Sequence, residues 1–174
     1  MKKYSGIGSR RTPSLALHQI QTLALQLANE GWCLRSGGAD GADSAFERGA
    51  IEGNGNTEIF IPWRGFNNNT SPLYTIPTLA TEIAAKFHPA WNMLRPPVKK
   101  LMARNVQQIL GRNCDDPVDC VICYTPDGCE DGTLTTSKTG GTGQALRIAT
   151  FFEIPIYNLE CRDIEDIYNI LENL

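Results

Sequence analysis

The chain has 174 residues, 41% of them hydrophobic and 20% charged, which favours one domain with a buried core and excludes a disordered chain. No apolar run nears the roughly 20 residues of a membrane-spanning helix, and Ser5-Gly6-Ile7-Gly8-Ser9-Arg10-Arg11 stands where a signal peptide would be apolar. A formal net charge of −3 disfavours a long polyanion as partner, and a cytoplasmic protein is expected.

Apolar periodicity alternates between strand-like and helix-like segments along the whole chain. Residues 4–8 read as a short strand ending in glycine. A helix over 14–30 follows, with Ser14 as its cap, Leu15, Ile20, Leu23, Leu27 and Ala28 as its apolar stripe, and Gly31 as its stop. The second strand is 32–35, the second helix 40–53 and the third strand 57–62. A long irregular stretch, 63–78, precedes a short helix over 79–87. His88-Pro89-Ala90-Trp91 opens a further loop, and Pro96-Pro97 starts a strong helix reaching Gly111. Residues 119–125 form the fourth strand, 141–152 a helix, 154–159 the fifth strand and 163–173 the last helix. This alternation predicts an α/β fold: a doubly wound, mostly parallel Rossmann-like sheet of about five strands with helices on both faces. The loops 63–78, 88–96 and 126–140 exceed ordinary connection lengths and are read as functional or lid-like.

The charge is unevenly placed. Residues 1–113 carry 13 Lys+Arg against 7 Asp+Glu, a balance of +6, whereas residues 114–174 carry 3 against 12, a balance of −9. Such asymmetry can mark where an anionic ligand sits, or it can reflect solvated faces of opposite sign. Cys120-Val-Ile-Cys123 has a C-x-x-C spacing, flanked by Cys114 and Cys129. On a strand, residues three apart face opposite ways, so ordinary buried thiols are expected in place of a zinc or redox site. Neither metal nor cofactor is assigned.

Three glycine-rich turns fall at strand ends or helix starts: Gly6-Ile7-Gly8-Ser9-Arg10-Arg11, Ser36-Gly37-Gly38-Ala39-Asp40-Gly41-Ala42-Asp43 and Thr139-Gly140-Gly141-Thr142-Gly143-Gln144. In a parallel sheet these ends converge on one crevice. There glycine lets backbone N–H groups approach a phosphate, and a helix N-terminus adds a favourable dipole. One such turn could be steric alone; three, with Ser9, Arg10, Ser36 and Thr142 beside them, favour a phosphate-bearing ligand. Arg11 replaces the third glycine of a dinucleotide fingerprint, and no P-loop is present.

Gly8-Ser9-Arg10 followed by the 36–43 segment resembles the Rossmann-type core of the DNA-processing protein A family, within the SLOG superfamily, over residues 4–62. Gly140-Gly141-Thr142-Gly143 is similar to the glycine motif of the LOG nucleotide phosphoribohydrolases. Leu101-Met102-Ala103-Arg104-Asn105 resembles the helix carrying that family's substrate-contacting arginine. In LOG enzymes a glutamate follows the last motif; here Gln144 and Arg147 occupy that region, so LOG-type hydrolysis lacks its carboxylate. The resemblance implies a homodimer and either nucleotide chemistry or single-stranded DNA binding, the latter disfavoured by the acidic last third.

The candidate ligand residues are therefore Gly8, Ser9 and Arg10; Ser36, Gly37, Gly38, Asp40 and Asp43; Arg104 and Asn105; Thr125 at the end of the fourth strand; and Gly140, Gly141, Thr142 and Gly143. On the 97–110 helix Arg104 lies beside the apolar stripe, read as a ligand contact or a snorkelling surface residue. Asn105 lies within the stripe, read as a ligand contact or a core amide satisfied by backbone. Asp43, Arg104 and Asp127 are candidate catalytic groups, with Glu130 and Asp131 as further acids. His88 and Trp91 are candidate base contacts, against local packing, and Trp63 and Phe66 share that ambiguity. Three functions follow: binding of a nucleotide or nucleotide-derived phosphate by a sensor, carrier or sequestering protein; N-glycoside hydrolysis of a nucleoside phosphate; and single-stranded DNA binding. No membrane partner is expected.

Overall fold

The computed structural model describes residues 1–173. Strands β1 (Lys3–Gly8), β2 (Cys33–Ser36), β3 (Thr57–Ile59), β4 (Cys120–Tyr124) and β5 (Ile156–Asn158) form one sheet in the order β3-β2-β1-β4-β5. Every pairing is parallel. Six helices cover it: α1 (Ser14–Asn29), α2 (Ala42–Glu52), α3 (Thr78–Phe87), α4 (Pro96–Leu110), α5 (Thr142–Phe151) and α6 (Ile164–Glu172). The doubly wound Rossmann-like architecture read from the sequence is thus the observed one.

Strand alternation divides the core in two. Tyr4, Leu34, Cys120 and Ile122 pack beneath α1, α2 and α6, while Ile7, Val121 and Cys123 pack beneath α3, α4 and α5. Cys120 and Cys123 therefore lie on opposite faces, as the strand spacing requires, and the described cysteines are all free thiols. No helix is long and apolar enough to cross a membrane among the described residues.

Element ends differ from expectation for local reasons. Ser14 is the first residue of α1 and not its cap: Pro13 holds the cap position, with no side-chain cap bond. Trp32 stays outside β2 because its N–H closes α1 onto the Leu27 carbonyl at 3.0 Å. The second helix starts at Ala42, not Asp40, because Gly41 has φ +82°, where a β-carbon would lie 2.4 Å from the Ser9 carbonyl oxygen. The Phe60 N–H still bonds to the Ser36 carbonyl of β2 at 2.9 Å, and after it the chain leaves that strand. The Ile61 N–H pairs with the Leu73 carbonyl at 2.9 Å, drawing the 63–78 loop back onto the sheet edge.

Each long loop contains one turn of 3-10 helix, at Phe66–Asn68, Trp91–Met93 and Gly132–Leu134. The order of strands reverses between β1 and β4, which run side by side to Gly8 and Tyr124. Ligands of open α/β sheets bind beyond strand ends at such a reversal.

Candidate functional site

A crevice of about 310 Å³ opens at that reversal. The first turn lines it with Gly8, Ser9 and Arg10, and the third with Gly140, Gly141 and Thr142. Asp43 from α2 and Arg104, Asn105 and Gln108 from α4 complete its polar lining, while Ile7, Ala39, Leu101 and Met102 supply apolar surface. Lys138 and Thr139, at the end of the 126–140 loop, also reach it.

Apart from Ala39 and Asp43, the second turn shapes this crevice from behind. Ser36, Gly37, Gly38 and Asp40 lie outside its lining. The Ser36 hydroxyl donates to the Gly6 carbonyl at 2.6 Å, tying β2 to β1. The Gly38 carbonyl accepts from Asn67 Nδ2 at 3.1 Å, which anchors the 63–78 loop, and Asp40 is exposed. Gly37 has a tighter task, because a β-carbon there would lie 1.2 Å from Arg104 Nη1. Only a glycine lets the guanidinium lie against this backbone.

Asp43 is 3% exposed and Arg104 5% exposed. Asp43 Oδ1 accepts from the Gly8 N–H at 3.2 Å, and Oδ2 from the Ala39 N–H and Arg104 Nη1, both at 3.5 Å. Burial pushes the Asp43 carboxyl above its ordinary range, although Arg104 and the two amides oppose that shift. Burial likewise lowers the Arg104 guanidinium, against the pull of Asp43. In both groups desolvation outweighs a long, loose pairing. The Phe66 ring centroid lies 6.0 Å from Arg104 Cζ, and Arg104 Nε has no hydrogen-bond partner.

Arg104 is therefore a buried crevice residue and not a snorkelling one. Asn105 lines the crevice, and its Nδ2 donates to the Gly141 carbonyl at 3.0 Å, as a core amide satisfied by backbone would. One orientation of the Gln108 amide satisfies its surroundings. Its oxygen then accepts from the Gly37 N–H at 3.0 Å and Arg104 Nη1 at 3.1 Å, and its nitrogen donates to Asn105 Oδ1 at 3.0 Å. Gln108 is not among the sequence-derived candidates. Its spacing, three residues after Asn105 and four after Arg104, places all three on one helix face.

The third turn differs from the other two. A β-carbon at Gly140 would meet nothing within 4 Å, and one at Gly141 only Met102 Cε at 3.8 Å. No side chain caps α5; the Gly143 and Gln144 N–H groups bond to the Gly140 and Gly141 carbonyls at 3.2 and 3.4 Å, and the positive end of the helix dipole borders the crevice without a built-in counter-anion. Gly143 lies one residue deeper, under Thr135, and outside the lining.

The other candidates lie outside the crevice lining. Thr125 is fully buried outside the crevice, its hydroxyl accepting from Asn158 Nδ2 at 2.7 Å. Asp127 also lies outside the lining, and its Oδ2 accepts from the Thr136 and Thr139 hydroxyls at 2.7 and 2.5 Å. Desolvation raises its carboxyl, but these threonines outweigh that and hold it below the usual range. Glu130 binds Arg162 through two oxygens at 2.5 and 2.7 Å, and Asp131 caps the Gly132–Leu134 turn. His88, Trp91 and Trp63 do not reach the crevice; His88 Nδ1 accepts from the Ala90 N–H, and Trp91 lies beneath Lys99.

Gln144 and Arg147, in the region of the LOG glutamate, point to the neighbouring helix. Gln144 Nε2 donates to the Ala84 carbonyl, and Arg147 Nε to the Phe87 carbonyl, both at 2.9 Å. They lock α5 to the end of α3. Asp43 is consequently the one carboxylate lining the crevice among the described residues.

Residues 1–83 match the model of the family described as DNA recombination-mediator protein A. Three solved structures are similar across nearly the whole chain. DNA processing protein A from Helicobacter pylori is 20% identical with a TM-score of 0.55, covering 99% of this chain and 72% of that one. The Streptococcus pneumoniae protein of the same name is 18% identical, TM-score 0.55, covering 91% of this chain and 50% of that one. The Chlamydomonas rheinhardtii Moco carrier protein is 17% identical, TM-score 0.51, with coverages of 90% and 74%. The chain shares the fold of these structures, and its first half is similar to the DNA recombination-mediator protein A family. No curated protein matches it in sequence. The matched segment carries the first two glycine turns; Arg104 and the third turn lie beyond it.

Proposed function

We propose that this protein binds a small phosphate ester of nucleotide type in the crevice, as a sensor, carrier or sequestering protein of SLOG type. The phosphate sits at the N-terminus of α5, over Gly140, Gly141 and Thr142. The observation that carries this reading is the contrast between turns. The first two have N–H groups already satisfied by Asp43 and Gln108, whereas the third faces open space beside Arg104, Arg10 and Lys138. A volume of about 310 Å³ is at the small end of ligand sites and suits a mononucleotide better than a dinucleotide. The Moco carrier neighbour supports carriage over chemistry. Calorimetry with AMP and inorganic pyrophosphate, with adenosine as control, tests the reading. Binding that requires the phosphate is expected, and its absence would remove the proposal.

Two further measurements separate the alternatives. Hydrolysis of the N-glycosidic bond would have to use Asp43, whose carboxylate is already committed to two amides and Arg104; free adenine accumulating from AMP would establish it. Single-stranded DNA binding is supported by the family match over residues 1–83 and by the single-stranded DNA binding of the Helicobacter pylori protein. A gel shift at low salt that fades steeply as salt rises would favour it over the small ligand.

A further inference from the structure

Three side-chain and backbone hydrogen bonds run in one direction across the floor of the crevice. The Gly37 N–H donates to Gln108 Oε1 at 3.0 Å, Gln108 Nε2 donates to Asn105 Oδ1 at 3.0 Å, and Asn105 Nδ2 donates to the Gly141 carbonyl at 3.0 Å. The two ends belong to turns that follow different strands, on opposite sides of the sheet reversal. Gln108 is 2% exposed and Asn105 6%, so water does not compete effectively for these bonds. Arg104 Nη1 joins the same Gln108 oxygen at 3.1 Å, and Gly141 is the cap residue of α5.

We propose that Gln108 and Asn105 are positioning residues that fix the guanidinium of Arg104 relative to the N-terminus of α5, making one rigid anion grip from two separate elements. This rests on the phosphate reading above, but its mechanical part does not. Gln108 restrains Arg104 by accepting from it. Asn105 restrains α5 by donating to its cap residue. The amide between them transmits any loosening from one side to the other, and aligned amide dipoles strengthen each bond in the row.

The test uses two variants and two readouts. Gln108→Leu removes both halves of the connection. Gln108→Glu still accepts from Gly37 and Arg104 but cannot donate to Asn105. Hydrogen exchange on the ligand-free protein is expected to rise at Gly37 and over residues 138–144 in Gln108→Leu, and only over 138–144 in Gln108→Glu. AMP affinity is expected to fall about tenfold in Gln108→Leu, and at least as far in Gln108→Glu, whose new carboxylate offsets the Arg104 charge. Unchanged exchange over 138–144 in both variants overturns the inference. Wild-type protein that ignores AMP overturns the phosphate reading instead, and the exchange pattern still decides the mechanical coupling. Should Gln108→Leu fail to fold, the one-sided pattern of Gln108→Glu decides it alone.

Discussion

The second and third glycine turns look alike in sequence and do different work. At Gly37 the missing side chain makes room for a guanidinium, and the backbone N–H is already bonded to Gln108. At Gly140 and Gly141 the missing side chains leave open space beside an uncapped helix end. Glycine in the former is a packing device, and in the latter an opening. A glycine-rich turn thus reveals little until one knows what its N–H groups already bind.

Five substitutions can break or sharpen that contrast. Arg104→Ala should have the largest effect, because it leaves Asp43 buried without a counter-charge; about 3–5 kcal/mol of stability should be lost at neutral pH, measured by denaturant unfolding. The Asp43 carboxyl is already raised by burial in the folded chain. Ionising it therefore costs stability as pH climbs from the unfolded value through the folded one, and more so without Arg104. The deficit should shrink as pH falls toward about 4. Gly37→Ala should follow at about 1–3 kcal/mol, from overpacking against Arg104. Asp43→Asn should free the guanidinium charge and raise pyrophosphate affinity by about tenfold, visible in calorimetry; a loss of affinity would make Asp43 a direct ligand contact. Gly141→Ala, at a helical φ of −64° with space around it, should stabilise by about 0.5 kcal/mol while weakening ligand binding. Equal destabilisation by Gly37→Ala and Gly141→Ala would erase the distinction between the two turns. Lys138→Ala should have the smallest effect: an unchanged melting temperature, with affinity reduced by about threefold at low salt and less as salt screens it.

The fold was largely legible. All five strands and six helices fall where apolar periodicity puts them, with ends displaced by contacts no local pattern encodes, such as the Gly41 approach to Ser9 or the Leu73 carbonyl recruiting Ile61. The crevice was legible through its glycines and Arg104. What stayed hidden was partnership. Nothing near Asp43 in the sequence says that its carboxylate occupies the amides of Gly8 and Ala39, since Gly8 lies 35 positions away. Gln108 carries no motif and is betrayed only by helical spacing. Asp127 and Thr125 sit at a strand end, where ligand residues gather, yet they bind their own loop.

The split between exposed and buried cations also divides the timing of a binding event. Arg10 is exposed at the mouth, while Arg104 lies beneath it, 5% exposed and short of one partner. A charge at the rim chiefly affects how often an anion arrives, whereas a desolvated one affects how long it stays. Arrival should therefore respond to ionic strength, and residence time to whatever holds Arg104 against Gly37.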